Sequence, residues 1–121
     1  MNISKEWEKQ TLTAQDIARI LKCGKNMAYN LMENGEIHSV KIGVLIRISM
    51  DSFQKWIEKQ NFTLDKTMNF EDQVYTIEEI REILNIGKNA AYSLLAHHYF
   101  QTIRIGKSIR ISKKSFDEWL K

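Results

Sequence analysis

Residues 24–31 read Gly-Lys-Asn-Met-Ala-Tyr-Asn-Leu, and residues 87–94 read Gly-Lys-Asn-Ala-Ala-Tyr-Ser-Leu. The pair sets an offset of 63 that holds without a gap from Trp7–Glu58 over Phe70–Lys121, with 21 of 52 positions identical. Two further blocks keep the register. Ile42-Gly43-x-x-Ile46-Arg47-Ile48-Ser49 lies over Ile105-Gly106-x-x-Ile109-Arg110-Ile111-Ser112, and Ser52-Phe53-x-x-Trp56 lies over Ser115-Phe116-x-x-Trp119. Self-similarity at one fixed period marks a duplicated structural unit. The chain divides into a first unit over residues 1–60, a linker over 61–69 and a second unit over 70–121.

Each unit reads as helix, tight turn, helix, β-hairpin, helix. Thr13 precedes Ala14, Ile17, Ile20 and Leu21, an apolar stripe at helical spacing behind an N-capping hydroxyl. Lys22-Cys23-Gly24 breaks that helix, and a second carries Ala28, Leu31 and Met32 inward until Asn34-Gly35. Val40, Ile42, Ile46 and Ile48 alternate with Lys41 and Arg47 around Gly43, predicting a hairpin with one buried face. Ser49 then caps a third helix holding Phe53, Trp56 and Ile57. The second unit repeats the pattern from Thr76 to Trp119 and Leu120. The fold class is therefore mostly α with small β-hairpin wings, a tandem winged helix-turn-helix.

The second helix of such a motif presents its first exposed residues to base edges in the major groove. Here these are Lys25, Asn26, Tyr29 and Asn30, and Lys88, Asn89, Tyr92 and Ser93. Asn pairs with adenine, and Lys donates to guanine or phosphate. Tyr29 and Tyr92 read equally as residues half-packed under the helix. If the apolar residues of the hairpins turn inward, Lys41 and Arg47, and likewise Arg104 and Arg110, face outward on neighbouring strands. An external anion such as DNA phosphate would offset that repulsion. With Lys107 at the second wing tip, these residues are the expected clamp on phosphate or in the minor groove.

Composition bounds the function. The net charge is +3 with 27% charged and 43% hydrophobic residues among 121, and the pI is near 9.0, as for a globular chain with an anionic partner. No apolar run approaches the ~18 residues of a membrane span, and Met1–Gln10 lacks an apolar signal core. The lone Cys23 makes no internal disulfide, and the chain reads as cytoplasmic. His38, His97 and His98 lack the paired spacing of a zinc site. No nucleophile, base and orienter set stands out, so neither an enzyme, nor a cofactor, nor a small-molecule substrate is expected.

At these residues the sequence resembles the excisionase family of small winged-helix DNA-binding proteins, related to the MerR-type DNA-binding domain. The resemblance runs through Thr13-Ala14-Gln15-Asp16-Ile17-Ala18, Gly24-Lys25-Asn26-Met27-Ala28-Tyr29, Val40-Lys41-Ile42-Gly43 to Ile46-Arg47-Ile48, and Phe53-Gln54-Lys55-Trp56. In the second unit it runs through Tyr75-Thr76-Ile77-Glu78-Glu79-Ile80, Gly87 to Tyr92, Arg104 to Ile111, and Phe116-Asp117-Glu118-Trp119. It implies double-stranded DNA as partner and, by analogy with family members that direct excision of mobile elements, a tyrosine recombinase (integrase). Other members regulate transcription. The family usually carries one such unit, so two in tandem is a departure.

The units differ in charge. From Ile83 to Phe116 there are six basic residues (Lys88, Arg104, Lys107, Arg110, Lys113, Lys114) and no acid. The matching stretch Ile20 to Phe53 has four basic residues and three acids. The second unit is thus the expected stronger phosphate binder. Val44-Leu45 at the first wing tip and the acids of the first unit, Glu33, Glu36 and Asp51, leave open an adaptor that binds protein instead of DNA. The eleven residues Lys59–Asn69 that join the matched stretches, roughly 35–40 Å when extended, would let the units sit about one helical turn apart on DNA.

Overall fold

The computed structural model describes residues 3–121. Six helices and two three-stranded antiparallel sheets follow in the same order twice. In the first repeat they are β1 (Thr11–Leu12), α1 (Ala14–Leu21), α2 (Lys25–Glu33), β2 (Ser39–Ile42), β3 (Leu45–Ser49) and α3 (Met50–Lys59). In the second they are β4 (Val74–Thr76), α4 (Ile77–Leu84), α5 (Lys88–Leu95), β5 (Thr102–Ile105), β6 (Ser108–Ser112) and α6 (Lys113–Leu120). A 3-10 turn precedes each repeat, at Lys5–Glu8 and Phe70–Asp72.

Local chemistry sets the element ends. Thr13 and Asp16 form a reciprocal capping box at α1, as Thr76 and Glu79 do at α4. Ser49 and Ser112 accept from the backbone N–H groups of Ser52 and Ser115 at the starts of α3 and α6. Lys22 and Asn85 adopt the left-handed conformation that turns the chain from the first helix of each motif into the second.

The hairpin register differs from the expectation of one buried apolar face. A two-residue turn with Gly43 at φ +63° pairs Ile42 with Leu45, Lys41 with Ile46 and Val40 with Arg47. Gly at the first central position is what a type II′ turn requires. Residues directly opposite share a face, so Val40, Ile42, Leu45 and Arg47 point one way, and Lys41, Ile46 and Ile48 the other. Lys41 and Arg47 therefore do not face each other, and no like-charge pair exists there. The second hairpin has the same register, pairing Arg104 with Ile109 and Ile103 with Arg110.

The two repeats share one core. Ile103, Ile105, Phe70 and Val74 of the second half join the cluster built on Ile17, Ile20, Leu21 and Phe53 of the first. A smaller cluster of Ile80, Leu95, Phe100, Ile111 and Phe116 belongs to the second repeat. The β5–β6 hairpin is therefore packed on both faces, with Ile103 and Ile105 toward the first repeat and Ile111 toward its own helices. The connecting residues do not act as a free extended tether. Phe62 is buried, and the buried amide of Gln73 donates to the carbonyls of Asp65, Met68 and Asn69. The Trp7 indole N–H donates to the Met68 carbonyl at 2.8 Å, and Arg19 pairs with Glu6 and Glu71.

Candidate nucleic-acid interface

The two second helices of the motifs, α2 and α5, stand apart from the other four. Each is preceded by glycine, Gly24 or Gly87, and neither receives a side-chain cap. Neither has an acid in its first turn. Their leading backbone N–H groups are left facing outward, an arrangement that attracts anions. Ala28, Leu31 and Met32 bury the opposite face of α2, and Ala91 and Leu95 that of α5. Lys25, Asn26, Tyr29 and Asn30 are consequently exposed, as are Lys88, Asn89, Tyr92 and Ser93. Tyr29 and Tyr92 are 41% and 44% exposed, each partly in solvent and partly packed.

In the first repeat a groove of about 180 Å³ joins the motif to its wing. Lys25, Tyr29 and Arg47 line it, together with Thr13 and Gln15 at the start of α1. Gln15 was not among the residues expected from sequence, although its place beside the capping threonine was a usable signal. Its counterpart is Glu78, which pairs with Arg81. An acid thus stands just outside the acid-free stretch of the second repeat.

The wing residues separate. Lys41 and Lys107 are exposed. Arg104 is exposed as well, but it lines a groove with Glu36, Trp56 and Gln60 of the first repeat. Among the described residues Arg47 donates only to the carbonyl of Ile46, at 2.9 Å. Arg110 makes the same local bond to Ile109, and then two more. Its Nε donates to the Leu21 carbonyl and its Nη2 to the Lys22 carbonyl, both at 2.8 Å. These carbonyls sit at the C-terminal end of α1, where the helix dipole favours a cation. Arg110 is therefore not the free phosphate clamp expected; its guanidinium holds the two repeats together. Burial beside Cys23 draws its pKa below the usual guanidinium range, and burial pushes the Cys23 thiol up.

A second ionic contact flanks this clamp. Lys22 donates to both carboxylate oxygens of Glu79, at 2.9 and 3.0 Å. Burial raises the Glu79 pKa, but the Thr76 N–H and the Lys22 ammonium outweigh it and hold the carboxyl below its ordinary value. Lys113 lies over the Tyr75 ring and 3.7 Å from Asp72, while Lys114 stays in solvent. The six basic residues between Ile83 and Phe116 are thus not six free charges.

Among the described residues no group of three His, Cys, Asp or Glu side chains could hold a metal ion. No helix among them is long and apolar enough to cross a membrane. No curated protein and no solved structure matches the chain. A protein-family profile described as "Helix-turn-helix domain" matches it twice, over residues 11–61 and 74–121. These matches span most of the sequence and fall on the two repeats whose geometry is described above. The chain belongs to this helix-turn-helix domain family of DNA-binding, excisionase-type domains, and carries the domain twice.

Proposed function

We propose that the protein binds double-stranded DNA with both repeats at once, as a rigid pair, in an excisionase-like architectural role. Lys25, Asn26 and Asn30 of α2, and Lys88, Asn89 and Ser93 of α5, are the major-groove readers in this reading. Lys41, Arg47, Arg104 and Lys107 are the phosphate contacts, with Tyr29, Tyr92 and Gln15 at the edges. Arg110 drops out of that set. The observation that carries the reading is the pair of glycine-started, acid-free helix N-termini with exposed Lys-Asn side chains.

A sequence-specific transcriptional regulator would use the same surface, and the two roles differ in consequence rather than in contacts. Binding measured at two salt concentrations tests the shared part: affinity must fall steeply with salt, because phosphate contacts release counterions. Salt-insensitive or absent binding overturns it and favours the protein-binding adaptor, a reading supported by the exposed Val44-Leu45 tip. An excision assay with a tyrosine recombinase on attachment-site DNA, beside a promoter reporter, then separates the two DNA roles.

A further inference from the structure

The contact between the repeats is head to tail and uses a different face of each. The first repeat contributes the end of α1 and the start of α2, with Ile20 buried and Met27 against the wing. A Cβ on Gly106 would stand 2.8 Å from the Met27 methyl. The second repeat contributes Phe70 and Val74 together with the outer hairpin face of Ile103, Ile105 and Arg110. Because the repeats align residue for residue, each carries both faces and uses one.

The unused halves are visible as exposed apolar surface. Ile20 is 0% exposed and its counterpart Ile83 is 44% exposed. Ile103 and Ile105 are 2% and 0% exposed, whereas Val40 and Ile42 are 51% and 60% exposed. So the first repeat shows an uncovered hairpin face, and the second an uncovered helix-end face. They correspond to the hairpin and helix-end parts of a contact the molecule already makes internally, without the Phe70 part, whose counterpart Trp7 is already buried against Phe70.

We propose that a second molecule of this chain covers them, seating the Ile83 face of one molecule on the Val40–Ile42 face of the next. In that contact, formed in the absence of DNA, Arg47 reaches the carbonyls of Leu84 and Asn85 as Arg110 reaches those of Leu21 and Lys22, so Arg47 is not available to phosphate while the contact holds. The helix end is presented in the same way, since Asn85 repeats the left-handed turn of Lys22. Such an interface is heterologous and does not close, so molecules add in a line. It is weaker than the internal one. The Lys22–Glu79 pair becomes Asn85 facing Asp16, and the Arg19–Glu71 pair becomes Glu82 facing Glu8.

Sedimentation of the full chain without DNA, at rising concentration, tests the proposal. The mass should grow beyond that of a dimer. Ile42→Glu and Ile83→Glu should each weaken association about ten- to hundredfold, the scale set by burying an isoleucine. Mixed together, the two variants retain one good face each and should form a 1:1 dimer that grows no further. Arg47→Glu gives an independent break of the hairpin face, and an unchanged thermal melt shows that each variant is folded. A monomeric mass up to about 1 mM, a closed dimer lost in only one variant, or a mixture that fails to pair would overturn it.

Discussion

Replacing Arg110 by alanine removes two charge-assisted hydrogen bonds that join the repeats, those to the carbonyls of Leu21 and Lys22. A bond from a charged donor contributes roughly 1.5–3 kcal/mol net. Arg110 is half-buried, so water can reach part of the vacated site and the lower end applies. Loss of the cation at the end of α1 adds about 0.3–1 kcal/mol. The expected destabilisation is about 3.5 kcal/mol, or a fall of roughly 10–15 °C in melting temperature for a chain of this size. Arg47 is the built-in control, occupying the same sequence context with a single local bond. Arg47→Ala should stay within about 0.5 kcal/mol of the parent. On DNA the order reverses: Arg47→Ala should lower the slope of log K against log salt by about 1. Thermal melts and salt titrations of the two variants make the comparison. Equal stability losses, or an unshifted melt for Arg110→Ala, would refute the assignment of Arg110 as the clamp.

Lys25→Gln and Lys88→Gln should each reduce the salt slope by about 1 while leaving the melt unchanged, measured by binding titrations at several salt concentrations. Gly24→Asp adds a capping carboxylate where a Cβ meets nothing within 4 Å. It should stabilise the fold by up to about 1 kcal/mol and weaken DNA binding, because the helix N-terminus would then be occupied by the protein's own anion. Tyr75 donates to Asp117 at 2.9 Å, and burial first, then that neighbouring carboxylate, pushes its phenol up to about 12. An alkaline absorbance titration should show a phenol that ionises only as the pH approaches about 12, absent in Tyr75→Phe. Since the folded pKa is raised, the associated stability is present below the unfolded tyrosine pKa of ~10 and is lost as pH rises toward about 12.

The elements were legible because their signals are local. Thr13 with Asp16, Thr76 with Glu79, and the serines at 49 and 112 each announce a helix within four residues of sequence. The helix-turn-helix residues followed, since Ala28 and Leu31 fix which side of α2 is exposed. The hairpin faces were misread although they could have been counted: a two-residue turn at Gly43-Val44 pairs Ile42 with Leu45, and every facing pair follows from that. The role of Arg110 had no such signal. Ile-Arg-Ile-Ser occurs identically at 46–49 and 109–112, and only the packing of one repeat on the other distinguishes the two arginines. For the connecting residues the clue was Phe62, an aromatic side chain in a polar stretch, which a free tether would leave in water.

The β5–β6 hairpin, apolar on both faces, makes the duplication inseparable. Proteolysis or truncation between the repeats would not liberate two autonomous halves. The first would bare Ile20 where the hairpin had lain, and the second would bare Ile103 and Ile105, each fragment acquiring a sticky surface that the intact chain conceals. Mutational drift in the two copies is likewise uneven: conservative changes at Val40 or Ile42 alter a surface, whereas the same changes at Ile103 or Ile105 disturb the seam that makes two ancestral modules behave as one body.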